Sequence, residues 1–292
     1  MDNRSTLKPA QVAHIMVANA VAKHKDRYEN IFWKAFAAGV MLAFGNLLSQ
    51  IISGGSPALN SSNPGLVKIL GGAVFPVGLI MIFLNGYELL TSNMLYFPMA
   101  VCTRAVPLWG LALNWLIVFF GNLVGSLFFG AILVRYSGVM DAPPFADFVR
   151  SFAIHKAKDP EWHQIFLRGI ACNWLVSVAV WQAAGAKDTL SRIVAIWIPI
   201  FIFVAAGYDH VIANMFSVPL GIMFHADLTT AEYIRKSLIA AFLGNVVGAL
   251  FVGLPAVYMY LSEWGTVGYG WSRVEKVQET NGSSLDSAAK HV

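Results

Sequence analysis

Six long apolar blocks dictate how this chain can fold. They run over about 30–53, 66–100, 108–133, 165–184, 193–224 and 238–261. Each is long enough to cross a bilayer, which takes about 20 apolar residues. The blocks are continuously apolar rather than alternating, so they read as helices and not as the strands of a barrel. Lipid offers no partner for an open strand edge, which leads to the same conclusion. Composition excludes a soluble globule. Charged residues are 12% and hydrophobic residues 57% of the 292 residues, and mean hydropathy is +0.61. A soluble domain carries roughly a quarter charged residues. The expected class is an all-α integral membrane protein, multi-pass in the lipid bilayer.

Six spans put both termini on one side. Arg4, Lys8, Lys23, Lys25, Arg27 and Lys34 crowd the N-terminal flank and bias that side towards the cytoplasm. Residues 1–29 are mixed and charged, with no signal peptide, and read as a cytosolic segment, helical from about Lys8. Residues 30–262 form the transmembrane unit. Residues 263–292 read as a cytosolic tail, disordered where it turns polar and small after Trp271. Cys102 and Cys172 sit in or near spans and suggest no disulfide framework. A net charge of +4 says little, and no nucleic-acid partner is expected.

Two blocks are longer than a span needs, and each is interrupted in the same way. "GYELLTSNM" from Gly86 aligns without a gap with "GYDHVIANM" from Gly207, pairing Glu88 with Asp209, Leu89 with His210 and Asn93 with Asn214. "GNLVGSLF" from Gly121 and "GNVVGALF" from Gly244 follow in the same order, pairing Asn122 with Asn245. "FWKAFAAG" at Phe32 loosely matches "FLRGIACN" at Phe166. The chain is therefore a duplication of three spans. An odd number of spans per copy inverts the second copy in the membrane, the plan of many transporters, whose discontinuous helices meet near the midplane. Helices two and five are expected to be broken at the interruptions. Irregular backbone at that depth must be buried in protein or line a water-filled path.

The polar residues at the breaks are the candidate site. Glu88 and Asp209 read either as caps for the half-helices that follow or as groups of the substrate path. His210 reads either as a hydrogen-bonded core histidine or as a proton donor and acceptor, the side chain suited to that near neutral pH. Thr91, Asn93 and Asn214 lie just past the breaks. Asn122 and Asn245 read as glue between helices, and Asn173 as glue or a pore-facing group. Lys156 and Lys158 in "HKAKDPEWHQ" form either a solvated loop or a basic vestibule that concentrates anions. Phe75, Leu79, Leu89, Leu90 and Phe203 bracket the breaks and fit a dry constriction.

No enzyme is expected. There is no P-loop, dinucleotide fingerprint or H-E-x-x-H, and Asp209 with His210 gives too few ligands for a metal, so no cofactor is implied. A neutral-solute channel of the aquaporin or urea type would fit the duplication. Against it, "SNM" and "ANM" stand where twin Asn-Pro-Ala motifs belong.

The pattern resembles the formate/nitrite transporter family from about Phe32 to Leu261. "FPVGLIMIFLNGYELLTSNM", "FLRGIACNWLVSVAVW" and "GYDHVIANMF" carry the likeness, with "KAFAAGVMLAFG" and the two "GN" pairs in support. The resemblance implies an aquaporin-like fold, a homopentamer with one pore per protomer, and passage of small monovalent weak-acid anions. It implies roles for His210 as the central histidine and for Thr91 and Asn173 beside it. It further implies a constriction at Phe75, Leu79, Leu89, Leu90 and Phe203, and a vestibule lysine at Lys158 or Lys156. Many bacterial members have an aromatic residue where this chain has Leu90. The long first outer loop and extended tail look more like a eukaryotic member at the plasma membrane, so nitrite is the expected substrate and formate the alternative. The implied mechanism is anion/proton symport, or channel-like anion flux when His210 is itself charged: in symport an anion drawn into a vestibule crosses the dry constriction after gaining a proton, directly or through water polarised at His210.

Overall fold

The computed structural model describes residues 6–261. The tail expected over 263–292 lies outside the described residues. Helix α1 (Pro9–Lys25) comes first, with Pro9 in its first turn, where a missing N–H leaves no bond unmade. It buries Val12, Ala13, Met16, Val17, Ala20 and Val21, a three-and-four spacing that makes one face. That face joins the same core as the spans.

The first repeat then runs α2 (Tyr28–Gly54), α3 (Pro57–Ser62), α4 (Pro64–Val74), α5 (Val77–Leu84), α6 (Leu90–Cys102) and α7 (Leu108–Phe128). A π-helical turn extends α7 over Phe129–Tyr136. Helix α8 (Phe145–Ala157) opens the second repeat, followed by α9 (Trp162–Gly185), α10 (Thr189–Ala206) and α11 (Val211–Met223). The short α12 (Thr230–Glu232) leads through a π-helical Tyr233–Leu238 into α13 (Ile239–Tyr260). Six of the helical runs are long and apolar enough to cross a membrane. Helices two and five of that set are the broken ones. The third span continues to Tyr136, and α3 and α8 stand where loops were expected.

The two copies pack alike. α2 lies along α7, and α9 along α13. The shared glycines explain why those pairs approach so closely. A Cβ on Gly125 would sit 2.1 Å from Phe36 O, and one on Gly248 would sit 2.3 Å from Ile170 O. Small residues at such spacing are what let membrane helices touch backbone to backbone.

Both breaks are built the same way. α5 and α10 end on Gly86 (φ 67°) and Gly207 (φ 82°), left-handed positions that cost an L side chain strain. Tyr87 N–H reaches back to Ile82 O at 3.0 Å and Tyr208 N–H to Phe203 O at 3.0 Å, the bonds of a Schellman end. The chain then turns through an acid and starts a new half-helix. α6 is buried from Leu90 to Ala100, and α11 from Val211 to Gly221. Helices buried on every side sit at the centre of a bundle.

Candidate functional site

Restarting a helix inside a membrane leaves N–H groups without partners. Here the next span supplies them. Leu90 N–H donates to Asn122 Oδ1 at 3.0 Å, and Val211 N–H to Asn245 Oδ1 at 2.8 Å. Asn122 Nδ2 donates to Ala35 O and Glu88 O, both at 2.8 Å. Asn245 Nδ2 donates to Gly169 O at 2.8 Å and Asp209 O at 2.9 Å. Each asparagine thus ties a break to the first and third spans of its own repeat.

The acids do not cap the half-helices. Leu89 is the N-cap residue of α6 and gives no side-chain bond, while His210 is that of α11. Glu88 instead accepts from Lys23 Nζ at 2.6 Å and Asn93 Nδ2 at 2.8 Å. Asp209 accepts from Lys156 Nζ at 3.0 Å and Asn214 Nδ2 at 3.3 Å. The asparagines pass a second bond to the neighbouring span, Asn93 to Asn114 Oδ1 at 2.8 Å and Asn214 to Ser237 Oγ at 3.0 Å. A charge buried in a bundle persists when it is paired and hydrogen-bonded. Glu88 is 3% exposed and Asp209 0%.

Lys156 and Lys158 therefore separate. Lys156 Nζ uses its three donors on Gly207 O (2.9 Å), Tyr208 O (3.2 Å) and Asp209 Oδ1 (3.0 Å). Lys158 bonds Asp227 at the surface, 2.6 Å to the carboxylate. That contact raises the Lys158 pKa and lowers the Asp227 pKa from their ordinary values. Lys158 is thus held at the surface, whereas Lys156 is held at the break.

His210 stands where the two half-helices begin. Its Nδ1 accepts the Ala213 N–H at 3.1 Å. A backbone N–H only donates, so the ring proton belongs on Nε2. Nε2 lies 3.0 Å from Thr91 Oγ1, at the start of the other half-helix. The positive ends of α6 and α11 converge on this pair. Asn173 Nδ2 bonds Thr91 O (3.3 Å) and Asn245 O (2.8 Å), and its Oδ1 is buried with no partner among the described residues. Phe203 stacks on the His210 ring at 5.8 Å and meets Phe75 edge-on at 5.7 Å. Leu79, Leu89 and Leu90 are buried in the same apolar cluster. The arrangement offers donors suited to a small anion or acid beside an apolar wall.

Lys23, Asn114 and Ser237 complete the site and were not singled out from the sequence. A signal for Lys23 exists: "KHKD" at Lys23 matches "KAKD" at Lys156, one residue out of step with the spans that follow. The duplication thus includes α1 and α8, each delivering a lysine to the acid of its own repeat.

Known proteins share this fold. Residues 10–258 match the family described as formate/nitrite transporter. A probable formate transporter of Methanothermobacter thermautotrophicus is 38% identical over 269 residues, covering 87% of this chain and 97% of that protein. A formate channel of Bacillus thuringiensis is 35% identical, covering 87% and 95%. Among solved structures, an FNT family ion channel superposes with TM-score 0.77 at 27% identity over 85% of this chain and 98% of that one. A pentameric formate channel with formate bound gives TM-score 0.70 at 28% identity, over 80% and 98%. Sequence, fold and paired breaks together make this chain a member of the formate/nitrite transporter family.

Proposed function

We propose that the chain carries nitrite and formate across the plasma membrane together with a proton, with both termini cytoplasmic and five protomers in the assembly. The observation that carries this reading is the His210–Thr91 contact of 3.0 Å, set at the meeting of two half-helix N-termini. Formate and nitrite are both bent, monovalent weak-acid anions of similar size, and the site addresses those shared features. The named relatives and the formate-bound neighbour support formate. The pentameric neighbour supports the assembly.

A bare anion is opposed by the apolar cluster of Phe75, Leu79, Leu89, Leu90 and Phe203. The neutral acid is opposed far less. A proton from the acidic side is relayed to the anion through water polarised at His210, and the resulting neutral acid passes the His210–Thr91 pair. Nε2–H donates to Thr91, leaving the Thr91 hydroxyl proton to contact the passing oxygen. Protonating His210 requires Nδ1 to release the Ala213 N–H, so the charged form loosens the first turn of α11. Lys23 and Lys156 add positive charge at the two breaks, though each is already bound to an acid.

The test is competitive uptake of labelled nitrite and formate into cells expressing the chain, across about pH 5 to 8. Uptake of both, rising with acidity and abolished or made pH-independent by His210→Phe, is expected. Unchanged pH-dependent uptake in His210→Phe would sink the role given to the histidine. Fast water or urea flux with no anion uptake would favour a neutral-solute channel.

A further inference from the structure

A cavity of about 300 Å³ lies away from the breaks, between the N-terminal strap and the α9–α10 hairpin. Leu7, Pro9, Val12, Trp181 and Ala195 give it apolar walls. The strap is fixed to the hairpin by a Thr6–Ala186 bridge and by Leu7 N–H donating to Gly185 O at 2.9 Å. Gln182 and Ser191 give the lining a polar edge. Asp188 is held by the Ser191 N–H at 2.8 Å, and the exposed Gln182 offers its amide to an occupant. A site of this size and lining takes a flat, largely apolar group with a polar edge.

We infer that the occupant is the chain's own C-terminal segment, residues 262–271, with Trp264 seated in the cavity. The described residues end at the cavity's edge. α13 closes with Tyr260, whose ring packs 6.0 Å from that of Trp181, and Leu261 beyond it is 3% exposed. Trp264 follows Leu261 by three residues, a reach of roughly 10 Å for extended chain. Trp264, Tyr269 and Trp271 place three aromatic residues in a segment otherwise rich in glycine. An indole has the shape and apolar area that these walls complement, and a single N–H for the Gln182 amide oxygen to accept. A docked Trp264 pins the strap, the strap leads into α1, and α1 holds Lys23 against Glu88. The segment thereby links the chain's end to the brace of the first break.

The experiment uses the full chain in lipid nanodiscs. Trp264→Cys is combined with Ala195→Cys on a Cys102→Ser background, and cross-linking is driven by a mild oxidant. A disulfide within one chain is expected. A cross-link between chains would overturn the inference, because a neighbour's tail would then fill the cavity, and so would no cross-link at all. Chymotryptic cleavage at Tyr269 and Trp271 gives an independent readout. Both Trp264→Ala, which removes the occupant, and Ala195→Trp, which fills the cavity, are expected to speed cleavage about tenfold, since cleavage follows local opening. Cleavage at the parental rate in both variants would overturn the proposal.

Discussion

Lys156 and Lys158 stand two residues apart and have different work. Lys156 holds the loop of the second break through three bonds, and Lys158 bonds a surface aspartate. Lys156→Met would leave Asp209 buried and charged, with Oδ2 already lacking a partner among the described residues. Breaking a buried pair on one side costs about 3–5 kcal/mol. A large fall in melting temperature in detergent is expected for Lys156→Met, with most of it recovered in Lys156→Met/Asp209→Asn. Lys158→Ala should melt and transport like the parent. If Lys156→Met melts at the parental temperature, the pair is not the brace described here. His210 has a similar double duty. His210→Asn keeps an acceptor for the Ala213 N–H, whereas His210→Phe loses the cap, worth about 1 kcal/mol. Both should lose pH-coupled uptake, and His210→Phe alone should also lose stability, as thermal melts of the two variants side by side would show.

The broken helices depend on two kinds of glycine, and the two fail differently. Gly207 needs its left-handed φ of 82° but has open space around the place a Cβ would take, with nothing within 4 Å, so Gly207→Ala meets only backbone strain, about 1–2 kcal/mol. Gly248→Ala drives a methyl to 2.3 Å from Ile170 O and forces α13 off α9. Overpacking costs about 1–3 kcal/mol in a core that can relax, and backbone against backbone relaxes poorly. Gly248→Ala should be the more damaging, read as the yield of monodisperse protein and its melting temperature. These elements are legible in the sequence. "GYELLTSNM" against "GYDHVIANM" marks the breaks, and the two "GN" pairs mark the close-packed third spans of each copy. The partners of the acids are not legible. Lys23 lies 65 residues from Glu88, and Lys156 lies 53 from Asp209. Local propensity argues for a cap and carries no information about a lysine on a distant helix. The helix expected from about Lys8 is α1, but α8 is hard to read for a related reason: it buries only one face, so it does not look like a span.

Across the whole molecule, scaffold sits where the two repeats agree and the proposed chemistry where they differ. Glu88 and Asp209, Asn93 and Asn214, and Asn122 and Asn245 make matching bonds. The symmetry fails at the centre. His210 matches Leu89, Thr91 matches Ile212, and Asn173 matches Gly39 when Phe32 is set against Phe166. One polar set therefore occupies a single place where a perfect two-fold would have made two. Asn122→Ala and Asn245→Ala separate the two roles. Each leaves one N–H and two carbonyls without their side-chain partner, so each should lower the melting temperature by a similar amount, at about 1–3 kcal/mol for each buried group left unpaired. Their effects on transport should differ. Asn245 anchors the backbone on both sides of His210, through Asp209 O and Val211 N–H. Asn122 does the same around Leu89, which has no proton to handle. Uptake per folded molecule, measured across about pH 5 to 8, should keep the parental pH profile at reduced rate in Asn122→Ala and lose that profile in Asn245→Ala. An equal shift of the pH profile in both variants would place the coupling in both breaks and not at the histidine alone.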